Sequence, residues 1–197
     1  MAKMETLRDD FGSGALVTAK WDNSTPGVAV ASSRCEIVEG YSQFTILATT
    51  TLFDLNGSYF SAKVDPGSLF AADTRILDIS VANFPAVYPG FRLVSDGTLD
   101  LEFRWVVDGS ETITNIPYDP TNHAWFRIRE SGGTVYWETS PNGVSWVVRR
   151  SVSHSSTTAL GAVKPSIGVQ SFATGNVIYV DNVNVAPNPG AFLPFFI

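Results

Sequence analysis

The residues best spaced for chemistry are two carboxylates, Asp100 and Glu102, in Leu99-Asp100-Leu101-Glu102-Phe103-Arg104-Trp105. In an extended strand residues two apart share a face, so both acids project together. Glycoside hydrolysis needs such a pair, with carboxyl groups about 5–5.5 Å apart for retention and about 6.5–9.5 Å for inversion. Arg104 follows on the same face, and that alternation favours a surface ion-pair network over catalysis. Glu130 and Glu138 lie on either side of Gly132-Gly133 and read as solvated carboxylates facing each other across a hairpin.

Other reactive groups are scattered. His123 and His154 stand apart, with no Cys, Asp or Glu cluster at ligand spacing, which argues against zinc. Ser155 and Ser156 beside His154 form no triad, because nothing orients the base. Gly12-Ser13-Gly14 lacks the lysine and helix of a phosphate loop. Cys35 is the only cysteine, reads as a small buried hydrophobe and excludes an internal disulfide.

Binding chemistry is better supplied. Sugar rings stack on Trp and Tyr faces while polar neighbours donate and accept hydrogen bonds. Trp125 alternates in phase with Arg127 and Arg129, out of phase with Phe126 and Ile128, which predicts an exposed indole. Tyr136 shares that outer face, and Tyr88, in Val87-Tyr88-Pro89-Gly90, is expected in a loop. Trp105, in phase with Leu99, Leu101 and Phe103, belongs to the core, and Trp146 is expected to be buried as well. The ligand-binding candidates are therefore Trp125, Tyr136, Arg127 and Tyr88.

The elements that carry these residues are strands. Period-two alternation recurs over 43–49, 58–64, 75–81, 99–105, 112–116, 124–129 and 135–139, with later strands near 166–172 and 177–185. Asp65-Pro66-Gly67, Asp108-Gly109, Gly132-Gly133 and Asn142-Gly143 punctuate them as turns. About twelve short strands, with helix only as a turn over 67–72, predict an all-β antiparallel β-sandwich. The 197 residues show no internal repeat, and no low-complexity linker divides them, so one domain over 9–185 is expected, after an arm, 1–8. A Pro-rich linker and apolar tail, 186–197, follow. Phe192, Leu193, Phe195, Phe196 and Ile197 need cover, from the sandwich or from a partner in a homo-oligomer.

Hydrophobic residues make up 44% of the chain and charged ones 16%, which excludes disorder and leaves a surface of Ser, Thr, Asn and Gly. A net charge of -6 and a pI near 4.8 argue against nucleic acid as a partner. No signal peptide or membrane span is read, so no membrane insertion is expected.

The stretch from His123-Ala124-Trp125-Phe126-Arg127-Ile128-Arg129 through Gly132-Gly133 and Val135-Tyr136-Trp137 to Asn142-Gly143-Val144-Ser145-Trp146 resembles concanavalin A-like, laminin-G-like jelly rolls. Asp9-Asp10-Phe11 and Tyr179-Val180-Asp181-Asn182-Val183 resemble the ends of the same fold, whose first and last strands lie side by side. The wording Arg127-Ile128-Arg129-Glu130-Ser131-Gly132-Gly133-Thr134 is similar to minor tail proteins of actinobacteriophages. That resemblance implies a non-enzymatic virion protein among other virion proteins, with a structural and host-surface carbohydrate-binding role. A head-decoration or other assembly subunit is the first alternative, and a glycan hydrolase of the glucanase superfamily the second. Retaining glucanases of this fold carry a Glu-x-Asp-x-x-Glu strand, which Asp100-Leu101-Glu102-Phe103-Arg104 does not match. The resemblance requires no cofactor but leaves calcium open, with Asp96, Asp108, Asp119 and Asp181 as the oxygen donors.

Overall fold

The computed structural model describes residues 1–22, 26–38, 45–67, 75–83, 87–95, 98–155, 158–171 and 177–187. Among these lie β1 (Trp21–Asp22), β2 (Val28–Ala31), β3 (Arg34–Val38), β4 (Thr45–Thr49), β5 (Tyr59–Asp65), β6 (Arg75–Ala82) and β7 (Val87–Ser95). They are followed by β8 (Leu99–Val107), β9 (Ser110–Pro117), β10 (Trp125–Ser131), β11 (Thr134–Ser140), β12 (Val147–Ser153), β13 (Lys164–Ser171) and β14 (Val177–Asp181). Two seven-stranded sheets result, ordered β1-β4-β13-β6-β7-β8-β9 and β12-β11-β10-β5-β14-β3-β2. Their ladders are antiparallel, as in the expected jelly-roll sandwich.

The sequence reading missed β1, β2 and β7. Pro89 and Gly90 made 87–90 look like a loop, yet both sit inside β7. Proline has no N–H to give a ladder. The continuous β6–β7 pairing stops at Ser80↔Gly90 and resumes beyond Pro89 as the single bridge Asn83↔Val87.

Alternation builds the core. Leu101, Phe103 and Trp105 of β8 are buried and meet Phe126 and Trp137 of the other sheet in one cluster. Phe91 packs edge-on against both Phe103 and Phe126, with centroids 5.7 and 5.2 Å away, the geometry that ring quadrupoles favour. Trp137 lies edge-on to Trp105 at 5.9 Å and donates its Nε1–H to the Gly90 carbonyl, 2.9 Å away in the first sheet. Arg150 of β12 reaches the carbonyls of Phe103 and Thr112, tying the edges of the two sheets together.

The chain ends of the domain meet as expected: Asp9 and Val183 exchange backbone hydrogen bonds of 3.0 and 2.7 Å. The Asp9 carboxylate then accepts the Phe11 N–H and the Trp21 Nε1–H. Met4 and Leu7, in the stretch read as an arm, are part of the core. Most of the helical turn expected over 67–72 lies outside the described residues, and so do the assembly residues Phe192, Leu193, Phe195, Phe196 and Ile197.

Candidate active site

The outer face of the first sheet concentrates carboxylates. Cross-strand register places Asp78 (β6), Arg92 (β7), Glu102 (β8) and Asn115 (β9) in one row. The next row holds Ser80, Gly90 and Arg104. Asp78 alternates with the core residues Leu77 and Ile79, so it points away from the core, yet it is only 8% exposed. The Tyr88 hydroxyl donates to Asp78 Oδ1, and Arg104 Nη1 donates to Asp78 Oδ2 at 3.0 Å. Arg104 also holds Glu111 Oε1, 2.6 Å from its Nε.

Two kinds of carboxyl result. Burial pushes the Asp78 carboxyl above the ordinary carboxylate range, although Tyr88 and Arg104 pull it down. Burial likewise raises the Tyr88 phenol, reinforced by Asp78. Glu102, by contrast, is ion-paired with Arg92 at 2.6 Å. Asp78 and Glu102 are separated by two interstrand spacings, about 9.6 Å between backbones. A carboxyl raised by burial, in one row with a second carboxyl that contacts Arg92, is an arrangement that acid–base hydrolysis can use.

Glu102 and Arg104 are ion-paired as expected, but across strands, with Arg92, Asp78 and Glu111 rather than with each other, and Asp100 only accepts from Asn115 Nδ2 at 3.4 Å. Asp78 is the residue the sequence reading missed. Its signal was a single acid inside the apolar strand Leu77-Asp78-Ile79-Ser80-Val81.

The aromatic candidates lie largely elsewhere. Trp125 is on the outward register of β10 but only 5% exposed, so the expected exposure is corrected. The backbone of Gly143 approaches its indole so closely that a Cβ there would lie 2.9 Å from two ring atoms, with Pro187 beside it. Tyr88 is also corrected: it lies in β7, 7% exposed. Tyr136 does share the outer face of the second sheet, with the Arg129 guanidinium 4.2 Å from its ring centroid. Arg127 stacks 4.1 Å over Trp146, which is half-buried rather than buried.

Glu138 binds both arginines, at 2.6 Å from Arg127 and 3.0 Å from Arg129. Its burial raises the carboxyl, but the two guanidiniums overcome this and hold it below the ordinary range. Glu130 and Glu138 are buried, not solvated, and occupy opposite faces. Glu130 pairs in register with the core residue Val135 and accepts the N–H groups of Gly57 and Gly133. His154 lies 3.4 Å from Glu130, while His123 accepts the Asp119 N–H at 3.0 Å. Cys35 is buried, and desolvation pushes its thiol up to about 12. No group of three His, Cys, Asp or Glu converges for a metal among the described residues, and Asp96 lies outside them. Nor does any helix among them have the length and apolarity to cross a membrane.

No family model and no curated protein sequence matches this chain. Solved structures do match it by fold. An apo Crh5 transglycosylase is 13% identical with a TM-score of 0.68, over 92% of this chain and 84% of its own. A laminarinase from Flavobacterium sp. UMI-01 is 9% identical with a TM-score of 0.65, over 89% and 96%. A protein of Mycobacterium tuberculosis described as a pseudo β-1,3-glucanase is 13% identical with a TM-score of 0.64, over 90% and 96%. At such identities the likeness is one of fold. It nevertheless overturns the expected kinship with phage minor tail proteins, and with it the reading as a non-enzymatic virion protein. The structures named are of carbohydrate-active enzymes or described by reference to one, and this chain shares their fold.

Proposed function

We propose that this protein acts on a glycan, as a glycoside hydrolase or transglycosylase, through the outer face of its first sheet. The observation that carries this reading is the buried Asp78 carboxyl, pushed toward its protonated form, in one row with the ion-paired Glu102. Asp78 gives its proton to the glycosidic oxygen as the bond to the anomeric carbon breaks. Glu102 takes a proton from the water or sugar hydroxyl that attacks that carbon, and a new C–O bond closes the reaction. Tyr88 and Arg104 orient Asp78, and Arg92 orients Glu102. The Glu-x-Asp-x-x-Glu strand expected of retaining glucanases has no counterpart in β8, so the two carboxyls come from different strands.

Cleavage and transfer products from a panel of β-glucans, galactans and chitin oligomers, followed by chromatography, test the reading. Product formation is expected, with Asp78→Asn and Glu102→Gln each lowering kcat by about a hundredfold or more. Activity that survives both substitutions, or no activity on any member of the panel, would overturn it.

A further inference from the structure

The outer face of the second sheet holds a different arrangement, independent of the Asp78 cluster. Arg127 and Arg129 of β10 share one carboxylate, Glu138. Glu138 takes Arg127 through Nε alone, at 2.6 Å. It takes Arg129 through Nε and Nη2, at 3.2 and 3.0 Å. The terminal nitrogens of Arg127 make no hydrogen bond among the described residues. Arg127 belongs to the wall of a cavity of about 90 Å³ that Tyr59, Ser61, Trp146 and Asn184 also line.

We propose that this cavity is a second ligand site, which takes an oxyanion carried on a sugar ring, a carboxylate or a sulfate ester. A guanidinium offers paired N–H donors in a plane, and an oxyanion accepts them side by side. Arg127 is held ready for this. Its Nε is fixed by Glu138, and its guanidinium carbon lies 4.1 Å from the Trp146 ring centroid and 5.9 Å from that of Tyr59. Ordering a long side chain in advance removes part of the entropy that binding would otherwise cost. Trp146 and Tyr59 are half-buried and give the sugar ring apolar faces.

Calorimetric titration of the full chain with an oligogalacturonide, a sulfated galactan oligosaccharide and a neutral galactan oligosaccharide tests the site. One or both charged ligands should bind at least about tenfold more tightly than the neutral one, and weaken as salt is raised. The carboxylate and sulfate arms identify the natural group. Arg127→Gln and Trp146→Ala should each cost about tenfold in affinity. The second keeps the Glu138 ion pairs, so it reports on binding even if the first unfolds. Equal affinity for the neutral ligand, absence of binding, or wild-type affinity in Trp146→Ala would each overturn the inference. Failure of the cleavage assay bears on the proposed activity alone.

Discussion

Arg104 donates to Asp78 across 3.0 Å, and yet the Asp78 carboxyl stays above its ordinary range because burial outweighs the cation beside it. A raised carboxyl favours its protonated form in the folded state. Its contribution to stability is therefore complete below the unfolded-chain value of about 3.9 and is lost as pH rises through the folded-state value. Asn in its place keeps an acceptor for Tyr88 but cannot ionise. Urea unfolding between about pH 4 and pH 8 should show Asp78→Asn gaining stability relative to the wild type as pH rises. Parallel curves for the two proteins would remove the burial argument.

Glu138 behaves in the opposite sense. Burial alone would raise it, but hydrogen bonds from Arg129 and Arg127 bring it below the ordinary range. Its stabilisation is present above the unfolded glutamate value of about 4.3 and is lost as pH falls through the folded-state value. Glu138→Gln leaves two partly buried guanidiniums without their counter-charge and should cost about 2 kcal/mol at neutral pH. The loss should shrink in acid. A penalty that stays constant from pH 7 down to about pH 3 would show that packing, not charge, carries the effect.

What was legible in the sequence depended on local alternation. β8, β10 and β11 were read correctly because inward Leu101, Phe103, Phe126, Ile128 and Trp137 alternate with charged or polar residues. β7 was not, because Pro89 and Gly90 are turn residues wherever no neighbouring strand holds them extended. The face of Trp125 was also read correctly. Its cover was not, since that comes from the Gly143 turn and Pro187, which no periodicity in β10 encodes. Asp78 was missed for a related reason: its neighbours Tyr88 and Arg104 come from β7 and β8, and only the register of the sheet brings the three together.

Trp137 joins the two sheets twice, by packing edge-on against Trp105 in the core and by its hydrogen bond to Gly90. Trp137→Phe removes the donor, leaves the Gly90 carbonyl without that partner and opens a void beside Trp105. The combined cost should be about 3 kcal/mol. Trp105→Phe keeps the Gly90 bond and should cost less. Chemical denaturation of both variants checks the order, and a reversed order would shift the anchor of the sandwich to Trp105.

Gly143 provides the sharpest test of how the cover over Trp125 is built. Its φ of +71° lies in the left-handed region, and an added Cβ would sit 2.9 Å from the indole of Trp125 and 3.1 Å from Pro187 Cδ. Gly109 has a similar φ, +78°, but open space where a Cβ would go. Gly109→Ala therefore measures the backbone penalty alone, about 1 kcal/mol. Gly143→Ala adds a collision with the buried Trp125 ring and with Pro187, and should cost about 2 kcal/mol more. It should also expose Trp125, seen as a red shift in its fluorescence that Gly109→Ala does not produce. Equal penalties and equal spectra would mean that the turn yields freely and that Trp125 is held by other contacts.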